Sequence, residues 1–163
     1  AVLLLVVVAL TQALPFRTSF ADGADDGRAA VAEATDYADA LNAAIPEHCG
    51  VLQLPYVGYP EQGTTVTLTD YEHFLQPLVN DGKDFSYGAV RNTAAGDLSE
   101  RIGSNLSTGS ISELASLGFC AVHADARGFD AEQWARVTTQ LRLLLGDPVA
   151  TGRDDTWLAY RIP

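Results

Sequence analysis

Basic residues are scarce in this chain of 163 residues. Ten lysines and arginines stand against 21 aspartates and glutamates, which gives a net charge of −11 at pH 7, and no cluster of basic residues occurs along the sequence. Recognition of nucleic acid or of anionic lipid headgroups requires a basic patch that neutralises phosphate. The composition therefore argues against nucleic acid as a partner and disfavours anionic lipid headgroups.

Motifs that assemble a catalytic or cofactor site are also missing. The sequence contains no G-x-S-x-G elbow, no P-loop and no G-x-G-x-x-G. Its three histidines, His48, His73 and His123, do not have the short spacing that zinc sites use. We therefore expect no metal and no cofactor, and we predict no catalytic residue.

The two cysteines, Cys49 and Cys120, are far apart in the sequence, and neither belongs to a C-x-x-C motif. Each lies at or near the start of a predicted buried strand. One interpretation is that both are small apolar residues of the core. The other is a disulfide, which requires an oxidising compartment and two strands that are neighbours in one sheet.

A long hydrophobic run opens the chain, since residues 1–16 (AVLLLVVVALTQALPF) contain no charge. At about 1.5 Å per residue, a helix of this length reaches roughly 24 Å, which is short of the roughly 30 Å hydrocarbon core of a bilayer. Three interpretations remain: the end of a transmembrane helix, the apolar part of a signal peptide, or a buried strand. A signal peptide is disfavoured because the first cation is Arg17. The end of a membrane helix is the favoured interpretation.

Beyond this run, residues 17–27 are polar, acidic and rich in glycine, which is typical of a linker. Residues 28–163 are long enough to bury a single core. We therefore predict three segments: the membrane-helix end or core strand over residues 1–16, the linker over 17–27, and one soluble domain over 28–163.

Strands and helices alternate along the predicted domain. Helices are predicted over residues 28–45, 70–79, 95–105, 110–118 and 130–145. Strands are predicted over residues 50–54, 64–68, 84–90, 119–124, 148–151 and 156–162. The expected helix caps are Thr69 or Asp70, a Ser110–Glu113 capping box, and Asp130. This alternation predicts a small three-layer α/β fold, with a mostly parallel sheet, helices on its faces and a C-terminal antiparallel hairpin.

The candidate site lies in the two loops that follow strands 50–54 and 119–124, because ligands of open α/β sheets bind where parallel strands end. These loops offer the candidate ligand-binding residues Gln53, Tyr56, Tyr59, Glu61, Asp125 and Arg127. Flat apolar rings beside a few oriented polar groups are typical of carbohydrate or polar small-molecule recognition. In the alternative interpretation the tyrosines cover the edge of the core and Asp125 caps a turn.

Four motifs, taken in this order, resemble a known group of proteins. They are CGVLQLPYVGYPE (Cys49 to Glu61), DYEHFL (Asp70 to Leu75), FSYGAVRNT (Phe85 to Thr93) and LGFCAVHADARGF (Leu117 to Phe129). The chain from about Arg17 onward resembles the extracytoplasmic C-terminal region of polytopic bacterial membrane proteins of the glycosyltransferase-C-like kind, especially actinobacterial ones.

The resemblance implies a soluble extracytoplasmic domain attached to a membrane protein. Such enzymes use polyprenyl-phosphate sugars to build envelope polysaccharide or glycolipid, and their catalytic acidic residues lie between membrane helices, so none carries over to this chain. The implied partners are the membrane-embedded portion of the same protein and cell-envelope glycan. The expected function is non-catalytic binding of an acceptor glycan; the alternative is a protein-docking module without a small-molecule ligand.

Overall fold

The computed structural model of the protein describes residues 25–163. The interpretations given above for residues 1–16, and for residues 17–24 of the linker, lie outside the described residues. Within residues 25–163, no helix is both long enough and apolar enough to cross a membrane. The sheet and the helical residues that pack on it, from Ala34 onward, belong to the unit Ala34–Pro163.

A five-stranded sheet forms the centre of this unit, in the spatial order β2-β1-β3-β5-β4. The strands of the described residues are β1 (Cys49–Leu54), β2 (Lys83–Phe85), β3 (Phe119–Asp125), β4 (Ala150–Gly152) and β5 (Trp157–Arg161). Strand β1 runs parallel to both β2 and β3, whereas β5 runs antiparallel to β3 and β4. The predicted α/β fold with a closing antiparallel hairpin is thereby confirmed.

Helices cover both faces of this sheet. They are α1 (residues 25–44), α2 (Leu75–Val79), α3 (Ala94–Ser104), α4 (Thr108–Ser116) and α5 (Ala131–Leu145). On one face, Tyr37 and Leu41 of α1 pack with Val51, Ala121 and Trp157 of the sheet. Because strands covered on both faces need apolar side chains at successive positions, β1 and β3 are mostly apolar, and their few polar residues, Gln53, His123 and Asp125, are buried.

The second face packs against α3, α4 and α5. Its buried core contains Leu52 and Val122 of the sheet and one large side chain from each helix: Ile102, Leu114 and Leu141. Each of the three helix side chains is fully buried, with no exposed surface. The result is the predicted order of three layers, helix on sheet on helix.

Of the three helix caps that the sequence predicts, the structure has one as predicted and differs at the other two. Helix α5 does begin after Asp130, whose carboxylate accepts the Gln133 N–H at 2.7 Å. Helix α4 begins earlier than predicted, because its capping box is Ser107 with Ser110 and not Ser110 with Glu113. Two serines three residues apart satisfy each other's backbone N–H groups just as a Ser–Glu pair does.

The predicted cap at Thr69 or Asp70 is also wrong. A 3₁₀ turn (Glu72–Phe74) precedes α2, and no side chain caps it. The Asp70 carboxylate instead accepts the Gly63 N–H, at 2.9 and 3.0 Å from its two oxygens. Asp70 therefore fastens the loop after β1 to the start of this turn.

Three further boundaries differ from the prediction. Helix α1 already includes residues 25–27, which were predicted to belong to the linker. The predicted strand 64–68 is a tight turn closed by one bridge between Thr65 and Leu68. The predicted strand 84–90 ends at Phe85, because the chain turns away from the sheet through Gly88, whose φ is +102°.

Cys49 and Cys120 are joined by a disulfide in the structure, with their Cα atoms 5.7 Å apart. Cys49 begins β1, and Cys120 lies near the start of the neighbouring parallel strand β3. This Cα separation is the usual one for disulfides. The bridge therefore connects the amino ends of the two central strands.

Candidate functional site

The carboxyl ends of β1 and β3 contain a buried polar network and not an open crevice. Asp125, the last residue of β3, is 2% exposed, and its carboxylate accepts four hydrogen bonds. Three come from Arg127, through its backbone N–H, Nε and Nη2, and the fourth comes from Trp157 Nε1 at 2.9 Å. All the acceptor capacity of this carboxylate is therefore used inside the protein.

Arg127 extends the network to the loop that precedes α2. Its guanidinium forms an ion pair with Glu72, which in turn accepts hydrogen bonds from the Thr69 N–H and hydroxyl at 2.6 and 2.8 Å. The Arg127 carbonyl accepts the Leu68 N–H at 3.1 Å. Two sequence-predicted ligand-binding residues, Asp125 and Arg127, thus connect the turn after β3 to strand β5 and to the loop that precedes α2.

Two histidines complete the buried network. His123, on β3, is 1% exposed, and its Nδ1 lies 2.7 Å from the Tyr37 hydroxyl. His73 is also buried and donates from Nε2 to the Pro55 carbonyl at 3.1 Å. A neutral imidazole can accept a hydrogen bond at Nδ1, and burial keeps the His123 ring neutral. We therefore assign the Tyr37 hydroxyl as the donor and His123 Nδ1 as the acceptor.

Burial determines the protonation of these groups. It lowers the pKa of His123 to about 3, an effect that the charge of Asp125 only partly opposes. Burial also lowers the pKa of His73. For Asp125, burial acts to raise the pKa, but the hydrogen bonds and charge of Arg127 outweigh it and lower the pKa. At neutral pH the network therefore holds two neutral imidazoles and the two ionised carboxylates of Asp125 and Glu72.

Gln53 is likewise committed to internal contacts. Its side-chain amide donates to the His73 carbonyl at 2.9 Å and accepts the Tyr87 N–H at 3.1 Å. Gln53 is buried, so it positions the loops after β1 and β2 and has no surface for a ligand.

Close packing also fills the space between the ends of β1 and β3. Gly128 lies in the 3₁₀ turn that follows β3, and a Cβ at this position would overlap the ring of Pro55. The two loops therefore touch at this point. A cavity of about 320 Å³ lies beyond the contact, between Pro55, Phe129 and the start of α5, but Gln53, Asp125 and Arg127 do not line it.

A larger open cleft lies beside β1, on the side of β2. It has a volume of about 650 Å³, and Tyr56 from the loop after β1 forms part of its wall. The remaining lining residues come from that loop, from the loop after β2 and from the first half of α3: Pro60, Gln62, Val90, Arg91, Asn92, Asp97 and Glu100. This is the cavity size and the mixture of one ring with several polar groups that small-ligand sites use.

The two walls of this cleft are fixed to each other. Tyr59 and Val90 form a parallel bridge, and the Arg91 N–H donates to the Tyr59 carbonyl at 3.0 Å. The Arg91 guanidinium also donates from Nη2 to the Pro60 carbonyl at 2.8 Å. Its aliphatic stem packs over Gly58, where a Cβ would overlap it. The charged end of Arg91 is therefore held at the cleft with further N–H donors available.

Electrostatics locates the Tyr56 hydroxyl among the charged groups of the cleft. Burial first, and then the negative charges of Glu100 and Asp97, raise the pKa of Tyr56, whereas Arg91 lowers it. The Tyr56 hydroxyl therefore stays protonated at neutral pH. It can donate one hydrogen bond to a ligand and accept others.

Tyr59 and Glu61 lie on the other side of the loop from the cleft. Tyr59 packs edge-on against Tyr71, with ring centroids 6.3 Å apart, and against Phe74 at 5.8 Å. Glu61 is exposed, and its charge is one of those that raise the pKa of Tyr71, after burial, which is the largest cause. Of the six sequence-predicted residues, only Tyr56 lines the cleft.

Sequence reasoning missed the residues of the cleft wall that follow β2. Arg91 and Asn92 come after a strand that was predicted, although too long, and that lies parallel to β1. The same rule that selected the loops after β1 and β3 also applies to the loop after β2. Asp97 and Glu100 are spaced three apart on α3 and so share one face of that helix.

Replacing Asp125 with Asn should lower the free energy of unfolding by about 2–3 kcal/mol, because charged hydrogen bonds to Arg127 are lost and a donor is left facing an amide N–H₂. Urea denaturation at pH 7 measures this change. Glu113→Gln is the matched control: Glu113 pairs with Arg101 at 2.7 Å on the surface. An exposed pair contributes little, so this variant should unfold like the wild type. Equal effects of the two substitutions would contradict the structural role of Asp125.

Neither a metal-ligand cluster among the described residues nor a matching protein was found for this chain. Among residues 25–163, no three His, Cys, Asp or Glu side chains come together as they would to hold a metal ion. Comparison of the chain with protein-family models, with curated proteins and with solved structures found no match. The cleft and the network are therefore interpreted from their own geometry.

Proposed function

We propose that residues 28–163 form a non-catalytic, glycan-binding domain on the extracytoplasmic side of a membrane glycosyltransferase-like protein that assembles cell-envelope glycan or glycolipid. The observation that carries this proposal is the cleft of about 650 Å³ beside Tyr56. Its ligand is an acceptor glycan, and its partner is the membrane-embedded portion of the same protein.

The chemistry of the cleft supports a sugar as the ligand. A pyranose or furanose presents a flat apolar face and an edge of hydroxyl groups that both donate and accept hydrogen bonds. Tyr56 and Pro60 supply apolar surface, while Arg91 and Asn92 supply N–H donors and Glu100 supplies an acceptor. Apolar surface with a few oriented polar groups is the general pattern of such sites.

The charge of the cleft favours a neutral glycan. One guanidinium, that of Arg91, stands against the carboxylates of Asp97 and Glu100, and the chain as a whole carries a net charge of −11. An anionic sugar, such as a uronic acid or a phosphorylated sugar, would be repelled by this field. Neutral arabinan, mannan and glucan fragments are therefore the first ligands to test.

The positions of the three histidines argue against a histidine as general acid or base at the cleft. His73 and His123 are buried in the network and held neutral, so neither can exchange a proton with a ligand in the cleft. His48 is exposed but precedes β1, whereas the cleft lies at the carboxyl end of that strand. General acid–base chemistry needs a proton-transfer group within hydrogen-bond reach of the substrate.

The disulfide supports the extracytoplasmic location. The bridge between Cys49 and Cys120 ties the two central strands together, and structural disulfides form and persist in oxidising compartments. A bacterial cytoplasm keeps cysteines reduced, whereas the cell exterior does not.

Titration with neutral oligosaccharides tests the binding proposal. Addition of arabinan, mannan or glucan fragments should shift the backbone amide signals of residues 56–62 and 90–100 in NMR spectra. Tyr56→Ala should weaken the binding at least about tenfold, because the variant loses the aromatic face and the hydroxyl of the cleft wall.

Leu143→Ala is the control for that titration. Leu143 is 83% exposed on α5 and does not line the cleft, so its removal should leave the affinity unchanged. If no fragment shifts the two segments at millimolar concentration, the proposal fails, and the alternative of a docking module becomes the better interpretation.

A further inference from the structure

A second aromatic surface lies directly beside the cleft, on the opposite side of the loop after β1. We define the aromatic platform as the rings of Tyr59, Tyr71, Phe74 and Tyr87. Tyr71 stacks on Phe74 with an interplanar angle of 12° and a centroid separation of 6.4 Å, and Phe74 packs edge-on against Tyr87 at 4.8 Å. Tyr87 is buried, whereas Tyr71 is 45% exposed. The platform therefore connects the core to a ring that faces solvent.

The exposed ring of Tyr71 is held rigidly. Its backbone has φ +69°, a left-handed conformation that a bulky side chain rarely adopts, and its N–H donates to the Tyr87 hydroxyl at 3.1 Å. A local structure that holds a tyrosine outward in a disfavoured conformation is typical of functional sites.

The platform is continuous with the cleft. Tyr59 belongs to the platform, and the next residue, Pro60, lines the cleft. The Arg91 guanidinium is bound to the Pro60 carbonyl, so the junction between the two surfaces is fixed. Since the rings of Tyr59 and Tyr71 are 6.3 Å apart, the surface that extends from Pro60 past Tyr59 leads to the ring of Tyr71.

Carboxylates accompany the aromatic ring as they do in the cleft. Asp70 is anchored by the Gly63 N–H, and Glu61 is exposed beside it on the same loop. After burial, the negative charges of Glu61 and Asp70 raise the pKa of Tyr71, which places both close to its ring. Ring, carboxylates and phenol hydroxyl repeat the set of groups found at Tyr56.

We propose that the Tyr71 face of the aromatic platform is a second glycan subsite, so that the domain binds a linear neutral oligosaccharide with one sugar in the cleft and a following sugar on Tyr71. This inference rests on the proposed glycan-binding function. It adds that the ligand is a chain of several sugars and that affinity grows with the length of that chain, because a second subsite adds contacts without a second loss of translational freedom.

The test compares saccharides of increasing length. Methyl mannoside, mannobiose and mannotetraose are titrated by NMR, with the corresponding arabinose and glucose series in parallel. In the wild type the tetrasaccharide should bind about three- to tenfold more tightly than the monosaccharide, the range that one additional aromatic contact contributes. Tyr71→Ala should abolish this gain and leave the monosaccharide affinity unchanged, whereas Tyr71→Phe, which keeps the ring, should retain the gain.

The possible outcomes separate this inference from the proposed function. If a monosaccharide shifts the cleft amides but chain length or Tyr71→Ala makes no difference, the second subsite is refuted and the cleft remains a glycan site. If no saccharide of any length binds, both are refuted. Should Tyr71→Ala fail to fold, intermolecular nuclear Overhauser effects between the Tyr71 ring protons of the wild type and mannotetraose decide the question, and their absence in the bound state overturns the inference.

Discussion

Lowering the pH from 7 to 4 should reduce the free energy of unfolding of this protein by roughly 3 kcal/mol through His123 alone. The pKa of His123 is lowered to about 3 in the folded protein, mainly by burial, while an unfolded histidine titrates near 6.5. Between these two values the unfolded chain binds a proton that the folded protein does not. Stability therefore rises with pH in this window, by up to about 1.4 kcal/mol per pH unit, and is fully present above pH 6.5.

The pKa shifts of His73, Asp125 and Glu72 also lower the free energy of unfolding as the pH falls. Burial also lowers the pKa of His73, which adds to the proton uptake on unfolding below pH 6.5. Asp125 and Glu72 have lowered pKa values; in both, burial acts to raise the pKa, and hydrogen bonds and the charge of Arg127 outweigh it. Their contribution is present above the unfolded carboxyl pKa near 4 and is lost as the pH falls further.

Urea denaturation at half-unit steps from pH 4 to pH 8 measures this dependence, and His123→Gln isolates the contribution of one ring. The glutamine side chain can still accept a hydrogen bond from the Tyr37 hydroxyl, so the variant should fold. Its free energy of unfolding should fall less steeply below pH 6.5 than that of the wild type. His48→Gln is the matched control, because the His48 side chain is exposed. A wild-type stability that stays constant from pH 7 to pH 4 would contradict the buried, neutral state of His123.

Reduction of the disulfide should lower the free energy of unfolding by about 4 kcal/mol. Cys49 and Cys120 are 71 residues apart, and the bridge removes the entropy of a loop of this length from the unfolded chain. Denaturant unfolding with and without a reducing agent measures the change without any amino-acid substitution. Reduced protein should unfold at a clearly lower denaturant concentration.

The Cys49→Ala, Cys120→Ala double variant is the control for this measurement. Its stability should be independent of the reducing agent, which shows that the reductant acts on this bridge. Thiol titration of the denatured, non-reduced wild type should find no free thiol. Two reactive thiols in that titration would show that the bridge does not form.

Features that depend on near neighbours in the sequence are the ones that sequence reasoning predicts well. The start of α5 follows from Asp130 and Gln133, which lie within one turn, and its end from Gly146. The mostly apolar segments of β1 and β3 predict two buried strands, and the structure shows that they are neighbours at the centre of the sheet. At the start of α4, both Ser107 and Ser110 are suitable N-cap residues. The sequence predicts Ser110 as the cap, whereas the helix begins about one turn earlier, after Ser107.

The site required contacts that no local pattern contains. Tyr37 and His123 are 86 residues apart, and Glu72 and Arg127 are 55 apart, yet each pair is in direct contact. Asp125 was a reasonable candidate ligand from its place at the end of β3, but Arg127 and Trp157 occupy its oxygens. Only the folded structure determines whether such a carboxylate faces a ligand or other side chains.

The sequence by itself determined the class of this fold: alternating strands and helices, a closing hairpin, and aromatic loops at the ends of the parallel strands. The spacing of apolar residues along each helix or strand predicts these features, because the buried face of a single element requires apolar side chains at regular positions. Tertiary structure alone decided which candidate residues face open space: Asp125 and Arg127 pair with other side chains beside β3, while Arg91 and α3 leave a cleft of about 650 Å³ beside Tyr56. Whether a gap remains between two loops depends on the packing of side chains distant in sequence, and no one-dimensional pattern records that packing.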